Sequence, residues 1–138
     1  GCYVLRPSIY SDFSYPDRTT AMEDIITALG GEPVSYEGRF KCCGFPIIMW
    51  NKKHSLTMSG ISLKEAKEKE ADCLVTPCPL CNLNLDSYQP EINKIVQTKL
   101  NLPILHLPQL VGIALGIESK ELGLNKHIVS TEKIFDKI

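Results

Sequence analysis

Five of the six cysteines in this 138-residue chain fall into one spaced pattern, Cys2-x39-Cys42-Cys43-x34-Cys78-x2-Cys81. A fold that uses them together must bring three separated stretches to one point. Six cysteines in 138 residues are too few for a small disulfide scaffold, where Cys exceeds about 8–10% of residues. In a reducing compartment thiols stay free, and clustered cysteines read as metal ligands or catalytic groups. Cys78-Pro79-Leu80-Cys81 is a CxxC, a spacing shared by zinc sites, iron–sulfur sites and dithiol oxidoreductases. Adjacent Cys42-Cys43 is rarer. Neighbouring cysteines in a turn can ligate two metals of one cluster, whereas a disulfide between them would be strained. Gly44 lets the backbone turn tightly behind them or approach a bound sulfide. Five thiols exceed the four ligands of tetrahedral zinc and the four of a regular cubane. Unless one cysteine stands apart, they point to one metal site, an iron–sulfur site larger or less regular than a cubane.

The rest of the composition narrows the function by exclusion. With 43% hydrophobic and 22% charged residues, the chain has the material for an ordinary core. A net charge of −1 offers no basic excess for nucleic acid. Residues 64–70 (KEAKEKE) alternate in sign and read as a solvated helix face. No stretch approaches the ~20 apolar residues of a membrane span; the most apolar, residues 105–115, is broken by His106, Pro108, Gln109 and Gly112. No tripartite secretion signal opens the chain, and the expected location is cytoplasmic.

Punctuation and periodicity give alternating short strands and helices. Pro16-Asp17-Arg18 opens a helix with the apolar stripe Met22, Ile25, Ile26 and Leu29, capped by Asp17 or by a Thr20–Glu23 box and ended by Gly30-Gly31. Residues 33–36 are a strand candidate. Residues 52–70 are helical, as one helix or two. Residues 71–76 (ADCLVT) suit a buried strand, which Pro77-Cys78-Pro79 stops, with Pro79 fitting the first turn of a helix. Pro90 marks a break before a helix over residues 91–99. Residues 102–105 form another buried-strand candidate, and an apolar helix runs from Pro108 to Gly116. Such alternation predicts an α/β fold, a Rossmann-like parallel sheet flanked by helices. Cys78 and Cys81 then fall where a strand runs into a helix, the place where open α/β sheets bind ligands and where helix N-termini favour anionic groups.

On these residues the chain resembles the CCG (cysteine-rich) domain of the B-type subunit of heterodisulfide reductase and its relatives. Residues 1–7 (GCYVLRP) resemble the start of that family's second, C-terminal CCG domain. Residues 41–46 (KCCGFP), 71–73 (ADC) and 76–86 (TPCPLCNLNLD) match its central segments, and Leu107-Pro108-Gln109-Leu110 with Gly112, Ala114 and Gly116 resembles its closing helix. The resemblance implies that residues 1–138 are a single CCG domain, half of a two-domain subunit, with the strand before Cys2 missing. It implies a non-cubane [4Fe–4S] cluster held by Cys2, Cys42, Cys43, Cys78 and Cys81, no catalytic residue beyond these ligands, and cleavage or formation of a disulfide. The implied partners are a second CCG domain, an iron–sulfur or flavin electron-donor subunit, and a thiol or disulfide substrate. Turnover by this chain alone is not expected.

Blander readings stand beside this one. A structural zinc on four of the cysteines would make the chain an assembly module of a multisubunit redox complex. A dithiol enzyme using Cys78 and Cys81 would leave Cys2, Cys42 and Cys43 without a role, and buried core thiols would leave the pattern unexplained. Cys73 reads as core. His54, His106 and His127 show no ligand spacing and read as surface or satisfied core. Tyr3 and Trp50 read as packing residues, Arg6 as a surface residue or a cation near the site, and Phe45 and Pro79 as shields against water.

Overall fold

Two three-residue strands carry the architecture, and the sequence explains their brevity, since proline stops one and precedes the other. The computed structural model describes residues 19–135. Cys2, Tyr3, Arg6 and the helix opening at Pro16-Asp17-Arg18 lie outside the described residues. Strand β1 (Leu74–Thr76) pairs in parallel with β2 (Ile104–His106), with Leu74 opposite Ile104 and Thr76 opposite His106. Around the pair stand α1 (Ala21–Ala28), α2 (Lys52–Glu68), α3 (Pro79–Ser87), α4 (Gln89–Val96), α5 (Leu107–Ala114) and the short α6 (Glu132–Phe135). The fold is thus a single, mostly helical domain with a small parallel sheet, and among the described residues the sheet has no further strand.

Side chains alternate across a strand, and here that alternation divides the interior in two. Leu74 and Ile104 point into a cluster with Leu56, Leu63, Leu85, Ile92 and Leu102, the same cluster that holds Cys43, Cys78 and Cys81. Leu105 points the other way, into a cluster with Leu110, Ile113, Leu124 and Ile134, against which Val75 and Cys73 pack. Each fully buried Leu or Ile contributes about 1.5–3 kcal/mol. The sheet therefore fixes which side the cysteines occupy.

Helix α2 is one helix, not two. Gly60 lies in its middle because a Cβ there would meet Val96 Cγ1 at 2.5 Å and Ile92 Cγ2 at 3.1 Å; the missing side chain lets α4 lie close. The alternating charges beyond it pair as expected, Lys64 with Glu68 at 3.8 Å. Gly30 and Gly116, both at positive φ, follow α1 and α5. At the start of α1, Thr20 makes no side-chain cap; its hydroxyl donates to Asp24 instead.

Residues 33–36 are not a strand. Tyr36 is extended, but Pro33 has no N–H to offer a ladder. Further on, the Gly38 N–H is taken by the Glu65 carboxylate at 2.6 Å. Trp50 also departs from expectation. It is 86% exposed, as is Met49, because the turn after Phe45–Ile47 buries Ile48 and swings the next two side chains outward.

Two buried polar side chains tie loops to this core. Asp86, at the end of α3, accepts from the backbone N–H groups of Ile128 (2.9 Å) and Val129 (3.2 Å), with His127 Nδ1 at 3.5 Å. Gln89 is fully buried and pairs with Leu102 as a strand would: its Nε2 donates to Leu102 O at 3.0 Å, and Leu102 N donates to its Oε1 at 2.9 Å. Gln89→Leu removes both partners of that buried peptide, each worth about 1–3 kcal/mol when left unsatisfied. The expected loss is about 2–4 kcal/mol in urea unfolding, with β2 amides the first to lose hydrogen-exchange protection.

Candidate metal centre

Strand β1 delivers the chain to Cys78, which occupies the N-cap position of α3 with φ −112° and ψ 124°, and Pro79 begins the helix. Proline suits that first position because its missing N–H would have no helical partner. Thr76 Oγ1 donates to Cys78 O at 3.2 Å, and Asn82 N closes the first turn on the same carbonyl at 3.0 Å. Three residues on, Cys81 falls on the buried face. Both thiols therefore stand within the first turn of a helix, whose unpaired N–H groups favour negative charge.

The second contributor is the Cys42-Cys43-Gly44 turn. Gly44 is left-handed, at φ +89°. A Cβ on it would lie 2.6 Å from Ser55 O and 3.0 Å from Ser55 Cα, so the turn rests with its backbone directly on that of α2. Only glycine satisfies both conditions. Gly44 N–H donates to Cys42 Sγ at 3.4 Å, and Cys42 is half-buried. Cys43 is buried, as are Cys78 and Cys81.

The two contributors meet. Cys43 and Cys81 share a thiol hydrogen bond across 38 residues of chain, and Cys81 also interacts with Cys78. The hydrogen bond from Cys81 lowers the Cys43 thiol to about 6; burial opposes this, and the Phe45 backbone N–H adds to it. Cys81 is raised in turn, first by the bond it donates, then by burial and the neighbouring Cys43 and Cys78. The two thiols move apart, Cys43 toward the thiolate and Cys81 toward the protonated form. Such a pair suits metal loading, since a thiol must lose its proton to ligate.

Four of the five cysteines singled out from the sequence are described, and three of them, Cys43, Cys78 and Cys81, lie in one buried cluster with Cys42 beside it. Cys2 lies outside the described residues. Among the described residues no three of His, Cys, Asp and Glu are set to hold a single metal ion. The donor set fits an iron–sulfur group by its chemistry: soft thiols, buried, from two backbone segments fixed by glycine and proline.

Of the flanking residues, Phe45 packs against the core cluster, whereas Pro79 is exposed at the start of α3. Cys73 stands apart. It lines a cavity of about 580 Å³ between α1 and β1 that includes none of Cys42, Cys43, Cys78 and Cys81, and burial raises its thiol to about 11. His54 is exposed, and His127 sits among Asp86 and Gln109 rather than near the cysteines.

Sequence reasoning gave no role to Ser59 and Asn84. Ser59 Oγ donates to Cys43 O at 2.6 Å, while Asn84 Nδ2 donates to Cys43 O and to Ser59 Oγ, each at 2.9 Å. The one available signal was the polar residue at position 84, three after Cys81 and so on the same face of α3.

The family model of the CCG cysteine-rich domain matches residues 1–86. Over 134 residues, 97% of the chain, it is 42% identical to an 8-methylmenaquinol:fumarate reductase membrane anchor subunit from Wolinella succinogenes, covering 47% of that protein. It is 29% identical over its whole length to the B-type subunit of a ferredoxin/F(420)H(2)-dependent CoB-CoM heterodisulfide reductase from Methanosarcina acetivorans, again covering 47%. A protein from Archaeoglobus profundus, itself described as like the B-type heterodisulfide reductase subunit, is 28% identical over 89% of the chain and 42% of its own length. The chain spans about half the length of the curated relatives it matches, and it corresponds to the C-terminal half of the heterodisulfide reductase subunits. None of the helices among the described residues is long and apolar enough to cross a membrane.

Metal-free, fully reduced protein should show thiolate ultraviolet absorbance that appears as pH rises through about 6, the value to which Cys43 is lowered. Because that value lies below the ordinary one, the stability it contributes is full above ~8.5 and is lost as pH falls through it. Cys81→Ala removes the donated hydrogen bond and should move the transition up toward ~8.5.

Proposed function

We propose that this chain, which belongs to the CCG cysteine-rich domain family, is the cluster-holding half of a redox subunit that makes or breaks a disulfide. Its family and its relatives support a redox subunit. The observation that carries the finer reading is the meeting of the Cys42-Cys43 turn with the CxxC of α3, Cys43 lying in one buried cluster with Cys78 and Cys81 and its carbonyl held by Asn84 of α3 at 2.9 Å. Two thiols on one helix could serve a dithiol enzyme; a second pair brought up from a separate stretch of chain suits a multi-metal site. In this reading Cys42, Cys43, Cys78 and Cys81, with Cys2 as the fifth ligand, hold a non-cubane [4Fe–4S] cluster. The parallel pair β1–β2 belongs to a Rossmann-like sheet with the site at its C-terminal edge.

When bound, such a cluster supplies one-electron transfer at a centre to which sulfur has high affinity. Opening a disulfide takes up two electrons and two protons and yields two thiols, and the reverse releases them. The residues of the chain do the rest. The lowered Cys43 thiol loads metal near neutrality, the first turn of α3 favours the anionic thiolates of Cys78 and Cys81, and the buried setting of three of the cysteines keeps water from the metal. The electrons come from a partner subunit carrying an iron–sulfur or flavin group, and a second CCG domain completes the substrate site.

Metal and sulfide analysis with an absorption spectrum, on the full protein purified without oxygen, tests this. About four irons with matching sulfide, lost together in Cys43→Ala and Cys81→Ala, are the expected outcome. About one zinc and no sulfide, persisting after attempted reconstitution, would replace the redox reading with that of a zinc-stapled assembly module.

A further inference from the structure

The cysteine turn is held from behind by an amide that does not touch sulfur. Asn84 is fully buried and lies one helical turn after Cys81 on α3. One N–H of its Nδ2 reaches Cys43 O and the other reaches Ser59 Oγ, both at 2.9 Å. Ser59, fully buried on α2, donates its own hydroxyl proton to Cys43 O at 2.6 Å. The hydrogens are all accounted for: Asn84 gives two, Ser59 accepts one and gives one, and the Cys43 carbonyl uses both lone pairs. Asn84 is therefore fixed in orientation, and Cys43 is fixed to the helix that carries Cys78 and Cys81.

This arrangement is expensive as mere packing. Asn84 Oδ1 and the hydroxyl of Ser55, also fully buried, find no hydrogen-bond partner among the described residues, and a buried polar atom left so costs about 1–3 kcal/mol. A leucine at 84 would fill the space without that cost. What a leucine could not do is hold the Cys43 carbonyl and the Cys81 helix at a fixed separation.

We infer that Asn84, with Ser59, is a positioning residue that sets the distance between Cys43 and the CxxC thiols, and so tunes how the site holds its metal. The inference rests on the metal-centre reading above and goes beyond it by naming residues that are not ligands. Residues that orient ligands typically change metal affinity by about 10- to 100-fold when removed.

The test compares wild type, Asn84→Ala, Asn84→Asp and Ser59→Ala in the full protein that carries this chain. Anaerobically reconstituted samples are assayed for iron retention against a chelator, electron paramagnetic resonance signature and midpoint potential. Asn84→Ala should weaken retention by about 10- to 100-fold and shift the resonance signature. Ser59→Ala, which keeps the Asn84–Cys43 bond, should shift it less and in the same direction. Asn84→Asp, which lacks the N–H donors, should behave like the alanine variant. Wild-type retention, signature and potential in variants that only melt at lower temperature would overturn the inference. Should the Asn84 variants fail to fold, an unchanged Ser59→Ala protein overturns it alone. If wild type takes zinc and no iron, the redox reading fails while the positioning role is still read, from the thiolate bands of the cobalt(II)-substituted proteins. If it takes neither, alkylation of Cys43 in the metal-free protein decides: several-fold faster labelling in Asn84→Ala supports the role, and equal rates overturn it.

Discussion

Backbone lies against backbone where the Cys42-Cys43 turn meets α2. Gly44 makes this contact possible, with its positive φ and with Ser55 O only 2.6 Å from where a Cβ would be. Once the turn is seated there, Cys43 O falls within reach of Ser59, one helical turn along α2 from Ser55, and of Asn84 on α3. Cys43 Sγ then faces Cys81. A side chain at position 44 would lift the turn off the helix and uncouple all of these contacts at once, so the geometry of the thiols depends on a single missing methyl group.

The sheet makes a second, cruder choice. Because neighbouring residues of β1 and β2 face opposite ways, Leu74 and Ile104 share the cysteine side while Val75 and Leu105 build the other core with α5. The cysteines are thus backed by closely packed aliphatic side chains, with few buried polar groups among them, Gln89, Ser59 and Asn84, each bonded to backbone. That combination gives a low-dielectric setting in which each charge-bearing thiol is strongly felt by its neighbours. Cys43 and Cys81 move in opposite directions chiefly through their interaction with each other, with burial opposing the first shift and adding to the second.

Membership of the CCG family places these devices in a redox context, and the relatives are themselves subunits of reductases. Those relatives are about twice as long as the chain. The chain's own contribution is a set of thiols from two separate stretches, held together by the CC turn and the start of α3.

Much of this was legible along the chain. Proline and glycine signal their positions through local backbone restriction, so the end of β1 at Pro77, the start of α3 at Pro79 and the stops at Gly30 and Gly116 could be read directly. The cysteine pattern singled out Cys43, Cys78 and Cys81, which the fold draws into one buried cluster. The α/β reading was right in its parallel pair and its flanking helices. It failed at residues 33–36, where Pro33 has no N–H for a ladder and the chain runs into a 3-10 turn tied to Glu65 instead of a neighbouring strand, and at Trp50, where a tight turn decided exposure against hydrophobicity. The roles of Gln89 and Asp86 were invisible, and that of Asn84 was signalled only by its place on the Cys81 face, since each bonds backbone groups 13 to 43 residues away. Periodicity and punctuation record what a residue does to its own few neighbours. Which distant carbonyl a buried amide will meet is set only when helices pack, and there the tertiary structure alone decided that Cys43 would face Cys81.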